Sequence, residues 1–323
     1  MMNENKFLAG TIIAGLILTF LFVALTMHAQ ERIEPVPYGD FEQWTVRYIK
    51  ESGLIGGETK ALYMVAENDT VYGTRYQRGD SPWSTANAFA QGMGVNKVSV
   101  NVTPEKRGDG YCCRIETCLD TVKAVGINLK VLATGSLYTG VLADPITLAH
   151  SSDPNSAIDM GIPFTRRPKA LMLDYKAHIT DGQIIYANAG TKVRNVEGRD
   201  KGQIVLILQH RWEENGHVYA YRVGTATEYI TRSTNGWVND HRVEVDYCNT
   251  PSDCNRPWHD LSNHRFKTLN SKGKMVLIEE VDWRGDMTPT HMVIQIQSGS
   301  QQPFTGCPGN IVWCDNIRLV YDK

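Results

Sequence analysis

From residue 98 onward the chain alternates apolar and polar positions with a period of two. Val98, Val100 and Val102 are separated by Ser99 and Asn101. Leu171, Leu173, Tyr175, Ala177 and Ile179 share one parity, and Met172, Asp174, Lys176 and His178 the other. Val243, Val245 and Tyr247 repeat the pattern, as do Met292, Ile294 and Ile296, then Ile311, Trp313, Ile317, Leu319 and Tyr321. Side chains of an extended strand point alternately to its two faces, so each stretch predicts a strand with one face on a core. Residues 204–208 are apolar throughout, which predicts a strand covered on both faces. Turn-forming clusters at 107–110, 152–155, 214–216 and 270–273 separate these segments. Residues 84–94 read as a non-strand insert. The expected architecture is all-β, an antiparallel β-sandwich or jelly roll of galactose-binding-like type with few short helices.

Before that pattern begins, Lys6 precedes an almost unbroken apolar run over residues 7–25, followed by Thr26-Met27-His28-Ala29-Gln30. This order is that of a secretory signal peptide over residues 1–29, cut after the small Ala29. The run is also long enough to cross a bilayer as an uncleaved anchor, which is the competing reading. The Pro35-Val36-Pro37 stretch makes residues 30–40 an expected spacer, leaving residues 41–323 as a single large domain. The expected location is secreted, periplasmic or on the surface of a bacterial envelope, with no membrane-spanning domain after cleavage.

Export would make disulfides permissible for the seven cysteines. Cys248 with Cys254, and Cys307 with Cys314, are the close pairs; Cys118 would take Cys113 or Cys112, leaving one thiol over. No C-x-x-C pair offers the spacing of a zinc site. The net charge of -2, with Lys and Arg scattered, gives no electrostatic footprint for nucleic acid.

Elbow, zincin and phosphate-loop motifs are all lacking. A glycoside hydrolase needs only two carboxylates placed by the fold, and Asp159, Asp174, Glu279, Glu280, Asp282 and Asp286 are the candidates, with no pair distinguished. Sugar binding needs aromatic faces with planar polar groups beside them. Trp83, Trp237, Trp258 and Trp283 sit beside polar or turn-forming residues, where a ring is more easily exposed. Trp313 has the parity of a core residue. Arg166 and Arg167 precede the strand that carries Asp174 and are expected to edge a groove there. Asp315 falls on the apolar parity of its strand, so it needs hydrogen bonds, an ion pair or a metal. A structural calcium shared with Glu42 or Asp40 is the metal version of that expectation; no other cofactor is required.

Read in order, several segments resemble one family. They are Phe41-Glu42-Gln43-Trp44, residues 81–87, Arg114-Ile115-Glu116-Thr117, residues 133–140 and 161–168, Leu173-Asp174-Tyr175-Lys176, and residues 313–321. Over residues 40–323 the chain is similar to the putative carbohydrate metabolism domain (PCMD) family of secreted Bacteroidetes proteins, and the Ala29-Gln30 junction resembles signal cleavage in that group. The resemblance implies a jelly roll like that of carbohydrate-binding modules, and a role in binding or processing glycans at or beyond the cell surface. It implies no catalytic residues. The chain departs from the family in its many cysteines and in lacking a lipid-attachment cysteine. The expected function is therefore carbohydrate binding as an accessory protein, with a glycoside hydrolase and an adhesive or structural surface protein as the alternatives.

Overall fold

A computed structural model of the chain describes residues 31–73, 79–92, 94–124, 127–151, 153–250, 261 and 266–323. Strands dominate it, and short 3-10 turns lie at Gly53–Ile55, Leu148–His150 and Pro154–Ala157. The signal and anchor readings of residues 1–29 fall outside the described residues.

Two sheets form the body. The first runs in the order Val238–Glu244, Ala170–His178, Ile311–Tyr321, Gly110–Glu116 and Val102–Arg107, with Arg32–Pro35 also paired to Ile311–Tyr321. The second runs Ile158–Met160, Ser136–Leu142, His291–Gln297, Gly202–Glu214, His217–Ile230, Met275–Trp283 and Lys267–Leu269. Pairing is antiparallel except where Val218 to Arg222 runs parallel to Ile278 to Trp283. The longest strands of the second sheet meet at Asn215 and Gly216, with φ of 54° and 84°, the two left-handed residues that a two-residue hairpin turn demands.

The core lies between the sheets. Leu171, Leu173, Tyr175 and Ala177 of the first sheet meet Ile204, Leu206, Leu208, Ile294 and Ile296 of the second. Each fully buried aliphatic side chain there contributes roughly 1.5–3 kcal/mol. Val205 and Ile207 point the opposite way and pack with Tyr138, Met160 and Val293. The unbroken 204–208 run is thus covered on both faces, as its pattern predicts.

Three expectations fail for identifiable reasons. Residues 30–40 are not merely a spacer: Arg32–Pro35 adds a strand beside the C-terminal one, and Val36 donates to the Ile317 carbonyl and is buried in the core. Residues 84–94 are not a non-strand insert, because Trp83–Thr85 pairs with Ser136–Leu142 and Ala88–Gly92 forms a hairpin with Val95–Ser99. That hairpin packs beside a small sheet of Trp44–Lys50, Thr59–Val65 and Asp69–Tyr72, with Ile49, Leu62, Phe89 and Val98 buried between them. The third failure concerns Asp315 and Trp313. Met172 pairs with Arg318 but Asp174 pairs with Asp315, so the C-terminal strand carries one extra residue there. Asn316 absorbs it at φ 50°, a conformation asparagine tolerates. The bulge reverses the parity: Val312, Cys314, Ile317 and Leu319 face the core, while Trp313 and Asp315 face outward.

The expected pairings of Cys307 with Cys314 and of Cys118 with Cys113 or Cys112 are corrected too. Cys112, Cys113, Cys118, Cys307 and Cys314 are free thiols. Cys314 points into the core directly opposite Cys113 on the neighbouring strand, whereas Cys307 lies in a turn where its sulfur meets the Thr180 hydroxyl at 2.9 Å. Cys112, adjacent to Cys113, points to the other face, and Cys118 opens a separate hairpin. Cys248 is disulfide-bonded and packs against Trp283; its expected partner Cys254 lies outside the described residues.

Candidate functional site

The outward face of the first sheet gathers the charged and aromatic groups that the alternation leaves off the core. Asp174 and Asp315 face each other across adjacent strands. Their side chains are only 7% and 8% exposed, which demands strong partners. Arg107, at the end of its strand, supplies them: Nη1 donates to Asp174 at 2.8 Å and to Asp315 at 2.6 Å, and Nη2 donates to the Asn239 side-chain carbonyl at 2.7 Å. Asp174 also accepts from the Asp240 backbone N–H at 2.8 Å, from Asn316 Nδ2 at 2.9 Å and from Arg318 at 3.2 Å. Arg318 reaches Asp240 at 2.8 Å as well, and Asp315 takes the Asn316 N–H at 2.8 Å.

Burial acts on both carboxyls by raising them, but with opposite outcomes. For Asp174, donation by Asn316, the Asp240 N–H and Arg107 outweighs burial and holds the acid below its ordinary value. For Asp315 burial wins over Arg107 and the Asn316 N–H, and the acid is raised. The pair therefore consists of a firmly ionised group beside one that protonates more readily.

Aromatic rings continue the strip. The Arg107 guanidinium lies 4.0 Å from the Trp237 ring centre. Lys176 lies 4.0 Å from the ring of Trp313 and 5.7 Å from that of Trp237, and Arg114 is 6.0 Å from Trp313 on the far side. Both tryptophans are half-buried. Two indoles thus flank a lysine, with a five-member Arg–Asp network at one end.

The structure divides the expected site residues. Trp237 and Asp174 come together in this strip. Trp83 and Trp283 are each 1% exposed and offer no ring face: Trp83 packs on Phe41 and donates to the Pro37 carbonyl, and Trp283 lies over Arg222 beside Cys248. Trp258 lies outside the described residues. Arg166 is engaged by Glu34 and the Tyr321 ring, and Arg167 donates to the carbonyls of Met287 and Gly285 over the Tyr247 ring. The guanidinium groups beside Asp174 are Arg107 and Arg318 instead. Of the other acids, Asp159 accepts from Thr268 at 2.6 Å, and Glu280 forms a buried ion pair with Arg222. Glu279 and Asp282 are half-buried and paired with His217 and Arg284, and Asp286 is exposed.

The residues do not fit the calcium site. Asp315 has guanidinium and amide partners, Glu42 accepts the Tyr111 N–H at 3.1 Å, and among the described residues no three acidic, histidine or cysteine side chains converge as a metal cage would require.

A family model described as "Putative carbohydrate metabolism domain" matches residues 40–320. The chain belongs to that family. No curated protein matches it. Among solved structures, a putative glycoside hydrolase from Bacteroides thetaiotaomicron VPI-5482 is similar, with a TM-score of 0.47 and 17% identity over 85% of this chain and 71% of that one. A putative glycoside hydrolase from Bacteroides vulgatus ATCC 8482 aligns with a TM-score of 0.43 and 16% identity over 89% and 94%. A non-crystalline-cellulose-specific carbohydrate-binding module, CBM28, aligns at 0.26 and 11% over 74% and 86%. The family is carbohydrate-related, and the domain is an all-β sandwich.

Proposed function

We propose that the chain is an exported accessory protein that binds glycans on the outward face of its first sheet. The observation that carries this reading is the pairing of two half-buried indoles, Trp237 and Trp313, with a fixed set of hydrogen-bonding groups between and beside them. Indole faces give apolar contact to sugar C–H groups at low entropic cost, and Lys176, Asn239 and Asp240 orient hydroxyls around them. Membership of a carbohydrate-related family supports the ligand class. Export is supported by the order of features in residues 1–30.

The opposed acidities of Asp174 and Asp315 favour a second reading, in which the pair acts on a glycosidic bond. Binding is preferred, because one Arg107 nitrogen donates to both carboxylates and ties their oxygens to the protein. Affinity electrophoresis in gels containing a soluble polysaccharide tests the first reading. Trp237→Ala should remove the retardation while leaving the thermal midpoint nearly unchanged; retardation equal to that of the unaltered chain would overturn it. Release of reducing sugar from the same polysaccharide, lost in Asp315→Asn, would establish the second.

A further inference from the structure

A cavity of about 180 Å³ lies where the small N-terminal sheet meets the edge of the sandwich, apart from the Trp237 strip. Its wall is largely apolar, with Leu62, Trp83 and Phe89 within and Val141, 50% exposed, on its rim. Its polar lining residues are Ser84, Thr85, Asn87, Asp144 and Arg47, of which Arg47 carries the positive charge. Its side chain is 1% exposed, lies 5.1 Å over the Phe89 ring, donates through Nε to the Gly73 carbonyl at 3.0 Å, and pairs through Nη1 with Asp144. Nη2 is buried and has no partner among the described residues. Leaving a buried guanidinium donor unmatched is costly. A retained donor of this kind is a recognition element when a ligand supplies the acceptor.

The chemistry of the wall narrows that acceptor. Asp144 already neutralises Arg47, so a carboxylate or phosphate entering the cavity would meet a carboxylate along with the guanidinium. A neutral carbonyl oxygen satisfies Nη2 without that conflict, and the apolar part of the wall, with Leu62, Met64, Phe89 and Leu142, suits a methyl group. The volume is below the roughly 300–1,000 Å³ of sites that enclose a whole drug-sized ligand, which fits a substituent or a single small ring. We propose that this cavity receives the acetyl group of an acetylated sugar, with the carbonyl oxygen accepting from Arg47 Nη2. The proposal rests on the glycan-binding reading above for its ligand class, and it adds a second site with its own selectivity.

Saturation-transfer NMR and calorimetric titration of the full chain with N-acetylglucosamine, glucose and sodium acetate test it. N-acetylglucosamine should bind, with transfer strongest at its methyl protons, and glucose and acetate should bind at least tenfold more weakly. Val141→Trp, a change at an exposed rim position, should weaken N-acetylglucosamine at least tenfold with the fold intact, and Arg47→Lys should do so if it folds. Equal affinity for glucose, preference for acetate, no binding of N-acetylglucosamine, or affinity unchanged by Val141→Trp would each overturn the proposal. Polysaccharide retardation of the Val141→Trp variant separates the two sites. Retardation kept while acetyl-sugar binding is lost upholds both, and acetyl-sugar binding in a chain that no polysaccharide retards upholds the cavity alone. Acetyl-sugar binding removed by Trp237→Ala and not by Val141→Trp sinks the cavity and leaves the strip standing.

Discussion

Arg107 is the keystone of the charged cluster, and replacing it with Leu removes the shared counter-ion of two carboxylates that are 7% and 8% exposed. Each charge-assisted hydrogen bond is worth about 1.5–3 kcal/mol, giving roughly 3–6 for the two. Arg107 is itself 20% exposed and water will reach part of its site, so the expected loss at pH 7 is discounted to about 2–4 kcal/mol. The loss should depend on pH in a set direction. Without Arg107 the Asp315 carboxyl, already raised by burial, is raised further above its unfolded value of about 3.9, while Asp174 keeps its Asn316, Asp240 N–H and Arg318 donors; the variant is relatively most stable below about 3.9 and loses stability as pH rises through the raised folded value of Asp315. Urea unfolding followed by tryptophan fluorescence at pH 7 and pH 4 measures this. The gap between the variant and the unaltered chain should shrink by at least half at pH 4. A gap of the same size at both pH values would refute the assignment of Arg107 as the electrostatic clamp.

The other predictions concern the core and its titrating groups. Trp83→Ala should destabilise by about 3–5 kcal/mol, because the ring is fully buried against Phe41, and a fall in the urea midpoint without any sugar present checks it. His291 is held down to about 4 by burial, with Arg211 adding to the effect. It stays neutral in the fold while the unfolded chain takes up a proton, so stability falls as pH drops from about 6.5 to about 4, by at most about 3 kcal/mol, and His291→Gln should flatten that slope. Denatured, unreduced protein should titrate at least five thiols. In the native state Cys112 and Cys118, pushed up to about 12 chiefly by burial, should resist thiolate-directed reagents at pH 8.

Alternation made the sheets legible because each strand has one face on the core, and the 170–178 and 291–297 segments follow it without interruption. The rule failed at the C-terminal strand, where one residue at positive φ shifts every later side chain to the other face. That shift put Trp313 and Asp315 on the wrong side in the sequence reading and so concealed half of the site. The asparagine at 316 was the available signal, since Asn is among the few residues that accept that conformation. Exposure of the tryptophans was not legible from their neighbours: Trp83 and Trp237 both adjoin turn residues, yet one is sealed by Phe41 and the other lies over Arg107. Arg107 itself read only as part of a turn. Its partners lie 67 and 208 residues away, and local sequence carries no trace of such contacts.

The most direct test of the central claim is a glycan array probed with the unaltered chain and with a Trp237→Ala/Trp313→Ala double variant of confirmed fold. Glycan binding on the outward face predicts a defined set of hits for the unaltered chain and loss of every polysaccharide hit in the double variant. The same hits at undiminished intensity in the double variant would contradict it.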